Sequence, residues 1–502
     1  MSGFTYGFHI KSVNPSYASC SANNKSASQL PHVIDEKIGK EVSIGRISGP
    51  FVSCPFDNCM ISPLGLRAKK NPGEYRVIHD LSFPYDETSV NSSIPREFAT
   101  IQYSSIADAA KHILNFGQYC FLAKSDIKSA FRIIPVHPDD RHLLGFKWRD
   151  HFYFDNCLPM GCSSSCQIFE AFSTGLHWII SKLLPSVGIV HVLDDFLFVT
   201  HTYDQCLSTL NTFTRLCEDI GVPLAPDKTV GPDQLLPFLG IQLNTVEMNA
   251  SLPTDKVIKF MELIEFFLTS KSVTLTKMQS LCGMLNFACG IIAPGRAFSR
   301  RLYDLTVGLN KPYFKVKITS SVKADLCVWK EFLRSHNSKT LFLDYMWLSS
   351  DVLQLYTDSA STIGYGGFFG SMWFSGLWSK SCLRMNIAIL ELYPICLALH
   401  LWAHILTNRC IILRTDNMAV VSVLNTCTSK EPSMMILVRK LVLLCMRFNI
   451  LIKSVHIAGD LNKTSDLLSR NQVLKAKQFN PQLEENPELI PNQWTLDKWL
   501  GI

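Results

Sequence analysis

The sequence predicts an α+β chain of several domains, and three observations carry that prediction. A length of 502 residues exceeds one ordinary domain and suggests about two to four. Hydrophobic residues make up 47% and charged residues 18%, the balance of a globular rather than a disordered chain. The periodicity also changes along the chain, from mixed to helical to mixed again.

Residues 1–48 are polar, Ser- and Asn-rich and weakly patterned, and read as a polar N-terminal lead. Ordered patterning starts near "GPFVSCPFDNCMISPLGLRAKK", and over residues 49–250 short β-branched runs alternate with helical stretches. Residues 251–345 read mostly as helices, broken at Pro294-Gly295 and Lys311-Pro312. In residues 346–472 the strand "VLQLYTD" leads into the Gly-rich turn "GYGGFFG", and strands and helices then alternate. Residues 473–502 contain Pro481, Pro487 and Pro491 and read as a linker or tail.

The net charge of +6 is modest. From Ser251 to Tyr345, however, fourteen Lys plus Arg face seven Asp plus Glu, so this segment alone exceeds the net charge of the chain. Such a basic helical segment fits contact with a polyanion or a solvated face, and charge alone leaves both open. The 17 cysteines are scattered. Cys162 and Cys166 are close but no histidine pair accompanies them, so free, mostly buried thiols in a reducing compartment are expected. The start, "MSGFTYGFHIKSVNPS", has no apolar h-region, which predicts an intracellular protein, in cytoplasm or nucleus, rather than a secreted one. The apolar stretch Ile387 to Leu406 carries Glu391, Pro394, His400 and His404. A buried helix fits it better than a membrane span, so no membrane partner is expected.

The stretch "GIVHVLDDFLFVT" sets Asp194 and Asp195 between two apolar, β-branched runs. Buried neighbouring carboxylates are costly. A hairpin would place both at its tip, and an ordinary Asp-containing turn would look the same. A third carboxylate, Asp126, ends the strand-like run in "YCFLAKSDIKSAFRIIPV". Three carboxylates brought together need cations, and hard divalent ions with oxygen ligands fit them best. Two Mg²⁺ (or Mn²⁺) ions on Asp126, Asp194 and Asp195 would clamp an in-line phosphoryl transfer.

Asp126 in "DIKSAF", "LPMGCSSS" from Leu158 to Ser165 and "LDD" from Leu193 to Asp195 resemble, in order and spacing, the palm motifs of reverse transcriptases. "SPLGLRAKKNPGEYRVIHDLS" resembles the fingers of that family, and "GVPLAPDKTVGP" followed by "FLGIQL" its last palm motif and primer grip. The wording is most similar to retrotransposons of the DIRS type, which often encode a tyrosine recombinase nearby. The resemblance implies a right-hand polymerase of fingers, palm and thumb/connection. It implies that Lys69 and Arg76 hold the incoming triphosphate. It implies that Phe131 excludes a 2′-hydroxyl, although a core aromatic would look alike. Gly161 would allow close backbone approach beside Met160, and Lys228 would neutralise or protonate the leaving pyrophosphate. Phe238, Leu239 and Gly240 would form the primer grip. Two departures stand out: Val192 replaces a common tyrosine, and Met160 replaces the glutamine of many retroviral relatives.

A second carboxylate set lies downstream. Asp358 ends "LQLYTD", Glu391 falls in the first turns of a helix starting near Asn386, Asp416 ends "CIILRTD", and Asp466 follows in "HIAGDLNKTSD". Four carboxylates at strand ends and on helices again suggest two metal ions. With the Gly-rich hairpin they resemble the ribonuclease H fold, and His456 in the matching loop with Gly459 and Asn462 would transfer a proton or assist product release. The two halves explain each other: RNA-directed DNA synthesis makes an RNA–DNA hybrid, and a ribonuclease H removes its RNA strand. The basic segment then becomes a thumb/connection gripping the hybrid. Implied partners are an RNA template, a DNA primer, the hybrid, deoxynucleoside triphosphates and a recombinase of the same element. The alternatives are a decayed or domesticated nucleic-acid-binding protein and a pararetroviral polymerase.

Overall fold

In a computed structural model, residues 2–15, 22–69, 73–335, 337, 340, 341, 347–407 and 409–501 are described. The chain divides into two compact units, Met1–Met248 and Asn249–Ile502.

The centre of the first unit is a four-stranded antiparallel sheet in the order Gly188–Val192, Asp195–Thr200, Phe121–Asp126, Val230–Asp233. Its strands are β-branched and aromatic, the residue types that suit a pleated, covered surface. Helices Ser165–Leu183 and Tyr203–Asp219 bring Phe169 and Phe213 to the same core as Phe196 and Phe198, and all four rings are fully buried.

A second core lies in the same unit. The hairpin Leu64–Ala68 and Tyr75–His79 and the sheet of Ile47–Phe51, His151–Asp155 and Gly145–Trp148 surround Leu64, Leu66, Phe146 and Trp148. Helix Pro31–Ser43 completes it with Ile34 and Ile38. The region expected to be a polar lead is therefore structural at its C-terminal end. Two isoleucines four apart share one helix face, and the surrounding Ser, Asn and Lys residues mask that stripe in a composition reading. The expectation of free thiols also needs correction, because Cys54 and Cys59 form a disulfide with Cα atoms 6.7 Å apart.

The second unit begins as expected, with helices Thr254–Thr269, Leu275–Ala288 and Ser320–Ser335. The domain boundary expected between residues 345 and 346 lies outside the described residues. Beyond it, strands Leu355–Ala360, Gly364–Phe369 and Met372–Leu377 form an antiparallel sheet, while Trp347–Ser349, Cys410–Thr415 and Leu451–His456 pair in parallel. Helix Ile387–Trp402 is buried along almost its whole length, as an all-round apolar helix must be. Among the described residues no helix is long and apolar enough to cross a membrane.

The C-terminal segment is not a free linker. Main-chain N–H groups of Glu484 and Glu488 donate to the carbonyls of Ser371 and Trp373 at 2.9 and 2.7 Å, along the strand Met372–Leu377. Helix Leu496–Leu500 buries Leu496 and Trp499, and the Trp499 ring lies 5.5 Å from Tyr393 and 4.7 Å from His400. Pro481 follows the end of helix Val473–Phe479, and the prolines do not prevent the apolar residues beyond it from docking.

Candidate functional site

Sheet register builds the first acidic site. Asp126 pairs directly with Asp195, and Asp195 with Val192 across the hairpin. Leu193 and Asp194 are left as the turn. Leu193 sits at φ +53°, an uncommon conformation for a residue with a bulky side chain. Two contacts hold it: the Leu193 N–H donates to Glu170 Oε2 at 2.9 Å, and the Asp194 carbonyl accepts from the Ile127 N–H at 3.0 Å. Burial, then the neighbouring Asp126, pushes the Asp194 carboxyl upward. Burial, then Asp194 and Asp126, pushes Asp195 to about 6. The Lys228 ammonium lies 2.9 and 2.8 Å from the two Asp126 oxygens. Burial is the largest single influence and would lower the lysine, but the bond to Asp126 together with the charges of Asp126, Asp194 and Asp195 raises it.

The other expected residues fall around this site to different degrees. Arg76 is exposed and its charge acts on Asp194. Lys69 lies on the same hairpin but pairs with Glu74 at 3.2 Å. Phe131 is partly buried in the 3₁₀ turn Ala130–Ile133, edge-on to Phe169 at 5.6 Å. The Met160 carbonyl accepts the His79 N–H at 3.0 Å. Gly161 has φ +133°, and a Cβ there would lie 1.9 Å from the His79 carbonyl oxygen, so only glycine fits. Leu239 and Gly240, both at positive φ, form the turn between strands Leu235–Phe238 and Ile241–Asn244. The ring of Phe238, expected in the primer grip with these two residues, is 1% exposed and belongs to the core. Alternation along the strand sends Phe238 inward.

The second site is tighter. Carboxylate oxygens of Asp358, Glu391 and Asp416 all lie within 4.8 Å of one another, the only such group of three among the described residues. Asp358 lies within its strand, opposite Gly366, rather than at the strand end. Asp416 directly follows the strand Cys410–Thr415, and Glu391 comes from the buried helix. Burial, then Asp358 and Asp416, pushes Glu391 to about 9. Burial also raises Asp358, to about 6, with Asp466 and Asp416 adding to it against the Ser469 bond. Asp466, on helix Lys463–Ser469, binds Arg470 Nε at 2.8 Å. His456 is the exposed last residue of its strand, paired in register with Thr415, and not a loop residue as expected. The strand continues further than the apolar run because its outer positions are exposed. Both sites offer only carboxylate oxygens, the donor set of a hard divalent cation.

Sequence reasoning passed over several supporting residues. Glu170 braces the hairpin turn, and the Ser469 hydroxyl donates to Asp358 Oδ2 at 2.7 Å. Ser469 follows Asp466 by three helical positions, which is the one signal that could have flagged it.

Residues 68–243 match the family model of the reverse transcriptase (RNA-dependent DNA polymerase). That segment is similar to a reverse transcriptase domain. Its curated relatives include the Gag-Pro-Pol polyprotein of bovine leukemia virus, 25% identical over 62% of this chain and 20% of the polyprotein. The Pro-Pol polyprotein of feline foamy virus is 26% identical over 43% of this chain and 18% of its own length. The chain thus spans about a fifth of the length of these polyproteins. Among solved structures, the foamy viral protease-reverse transcriptase in complex with dsDNA aligns with TM-score 0.52 at 17% identity, covering 90% of this chain and 87% of that one. The same protein in complex with RNA/DNA hybrid aligns with TM-score 0.52 at 16% identity, covering 96% and 58%. These likenesses concern the fold, mixed helices and sheets consistent with a polymerase followed by a ribonuclease H-like domain.

Proposed function

We propose that this chain is an RNA-directed DNA polymerase with ribonuclease H activity, from a retroelement whose wording is most like the DIRS type. The observation that carries it is the pairing of Asp126 with Asp195 beside the Asp194 turn, within the segment matched by the family model. Asp126, Asp194 and Asp195 would hold two Mg²⁺ or Mn²⁺ ions, which when bound stabilise the charge of an in-line phosphoryl transfer. Arg76, whose charge reaches Asp194, would draw the triphosphate, with Lys69 on the same hairpin. Lys228, already on Asp126, can offset or protonate the leaving pyrophosphate. Phe131 supplies bulk under the sugar, and the Leu239-Gly240 turn offers backbone to a primer.

In the second site Asp358, Glu391 and Asp416 would share a second pair of ions, with Asp466 released from Arg470 to complete the set. His456, on the strand beside the one that Asp416 follows, would pass a proton. RNA template, DNA primer, their hybrid and deoxynucleoside triphosphates are the ligands. The foamy viral structures in complex with dsDNA and RNA/DNA hybrid support that choice, and so does the basic segment from Ser251. A recombinase from the same element and a site of action in cytoplasm or nucleus belong to the same reading. Primer extension on an RNA template, and cleavage of the RNA strand in a preformed hybrid, with Mg²⁺ or Mn²⁺, test it. An active, folded preparation should do both, and failure of both refutes the reading.

A further inference from the structure

Four side chains from four elements of the first unit form one ionic network that the acidic site does not use. The Arg132 guanidinium is its hub. Its Nη1 donates to Asp155 Oδ1 at 2.7 Å, and its Nε donates to Glu41 Oε2 at 2.9 Å. Nη1 also reaches the Cys157 carbonyl at 3.3 Å, and Nη2 the Arg46 carbonyl at 3.4 Å. The second Asp155 oxygen meets His79 Nδ1 at 3.0 Å, and His79 Nε2 meets the Gly145 carbonyl at 3.1 Å. Asp155 and His79 are buried, while the side chains of Arg132 and Glu41 keep 14% and 24% of their exposure. Burial alone would raise the Asp155 carboxyl, but Arg132 and then His79 hold it below the usual carboxylate range. The Asp155–Arg132 pair is therefore hard to break, because separating a buried pair strands a charge.

The network adjoins two segments expected to hold the nucleotide, the Phe131 turn and Met160–Gly161. Arg132 directly follows Phe131 in the 3₁₀ turn Ala130–Ile133. The chain enters that turn through Ser129 at φ +68° and Ala130 at φ +25°, conformations that residues with a Cβ rarely adopt. Such an entry persists only where the surroundings over-determine it, and the Arg132 anchor does so. At the other end, the His79 main chain binds Met160 and defines the floor on which Gly161 packs. Glu41 comes from helix Pro31–Ser43, so the N-terminal region contributes the outermost arm.

We propose that Glu41, Arg132, Asp155 and His79 form a positioning network that fixes the Phe131 turn at one point and the Met160–Gly161 segment at another, and thereby sets the discrimination between deoxyribose and ribose in the incoming nucleotide. The inference rests on the polymerase reading above. None of the four touches the nucleotide; they act by fixing the distance between the Phe131 ring and the Met160–Gly161 backbone. Misplacing a positioning group by a fraction of an ångström weakens a steric test more than it weakens binding of the smaller substrate.

The test compares incorporation of one deoxynucleotide and the matching ribonucleotide on a single primer–template. The enzymes are the wild type, Glu41→Gln and the paired variant Arg132→Met with Asp155→Asn. The paired variant removes both buried charges together, which cores tolerate better than removing one. It should narrow the ratio of kcat/KM for deoxynucleotide over ribonucleotide by about tenfold, and Glu41→Gln by about two- to threefold. A merely structural role would lower both substrates alike and leave the ratio unchanged, and that result overturns the inference. If the paired variant does not fold, Glu41→Gln decides by the same ratio. A wild type that extends no primer overturns the polymerase reading and this inference with it, whereas an active wild type with unchanged variant ratios overturns the inference alone.

Discussion

The two acidic sites differ in how they manage repulsion. In the second unit Asp358, Glu391 and Asp416 converge within 4.8 Å, and burial pushes Glu391 to about 9, so its proton relieves the crowding. In the first unit Asp126, Asp194 and Asp195 are drawn together by strand register, and Lys228 sits on Asp126 with its ammonium. One site is quieted by a proton and the other by a lysine. Like charges at these separations cannot all remain ionised and unpartnered. A site that stores a proton should respond to pH, and one that stores a lysine should respond to mutation of that lysine.

The largest expected effect breaks the two sites apart. Asp194→Asn should cost DNA synthesis about a thousandfold or more, since one metal-binding carboxylate supplies several kcal/mol of transition-state stabilisation. Hybrid cleavage by the same preparation should persist. Asp416→Asn should do the reverse. Loss of both activities from either substitution, with hybrid binding intact, would show one site instead of two.

Removing the lysine sharpens the contrast. Lys228→Met should lower the rate of DNA synthesis about 10²-fold by withdrawing a general acid, while leaving hybrid cleavage unchanged. Single-turnover kinetics with saturating nucleotide measures it, and a normal rate would reduce Lys228 to a surface charge.

The stored proton predicts the pH response of the metal-free protein. Glu391 titrates at about 9 when folded against an ordinary value of 4.5. Between these values the folded state binds more protons than the unfolded one, so stability is complete below about 4.5 and falls as pH rises toward 9. Melting curves with a chelator present should show that decline, and Glu391→Gln should flatten it. An equal slope in the variant would assign the decline to other groups.

A smaller effect concerns the C-terminal segment. Trp499→Ala should destabilise the second unit by about 3–5 kcal/mol, as for a buried aromatic truncated in a core. Denaturant titration should detect it, and a change within about 0.5 kcal/mol would return the segment to the status of a surface tail.

Asp194 and Asp195 stood out by residue type, because an apolar core has little use for aspartates set among β-branched residues, whereas the second carboxylate set was singled out through its resemblance to the ribonuclease H fold. The helical middle and the alternating second half were legible from local pattern, since periods of 2 and 3.6 are properties of neighbouring residues. Legibility ended where residues act across long separations. Helix Pro31–Ser43 hid two buried isoleucines among polar residues, and the prolines after Asn471 masked the apolar anchors Leu496 and Trp499. Phe238 matched a motif by position while its side chain faces the core.

The sequence by itself determined which residues carry charge and where most strands and helices lie between residues 49 and 472, because those follow from chemistry and short-range periodicity. Only the tertiary structure decided which charges meet. Asp126 faces Asp195 through strand pairing across 69 positions, Arg132 joins Glu41 and Asp155 from separate elements, and Asp358, Glu391 and Asp416 converge from two strands and a helix. Register and packing set those distances, and the electrostatic energy of a buried group depends on its distance to each neighbour and on its removal from water.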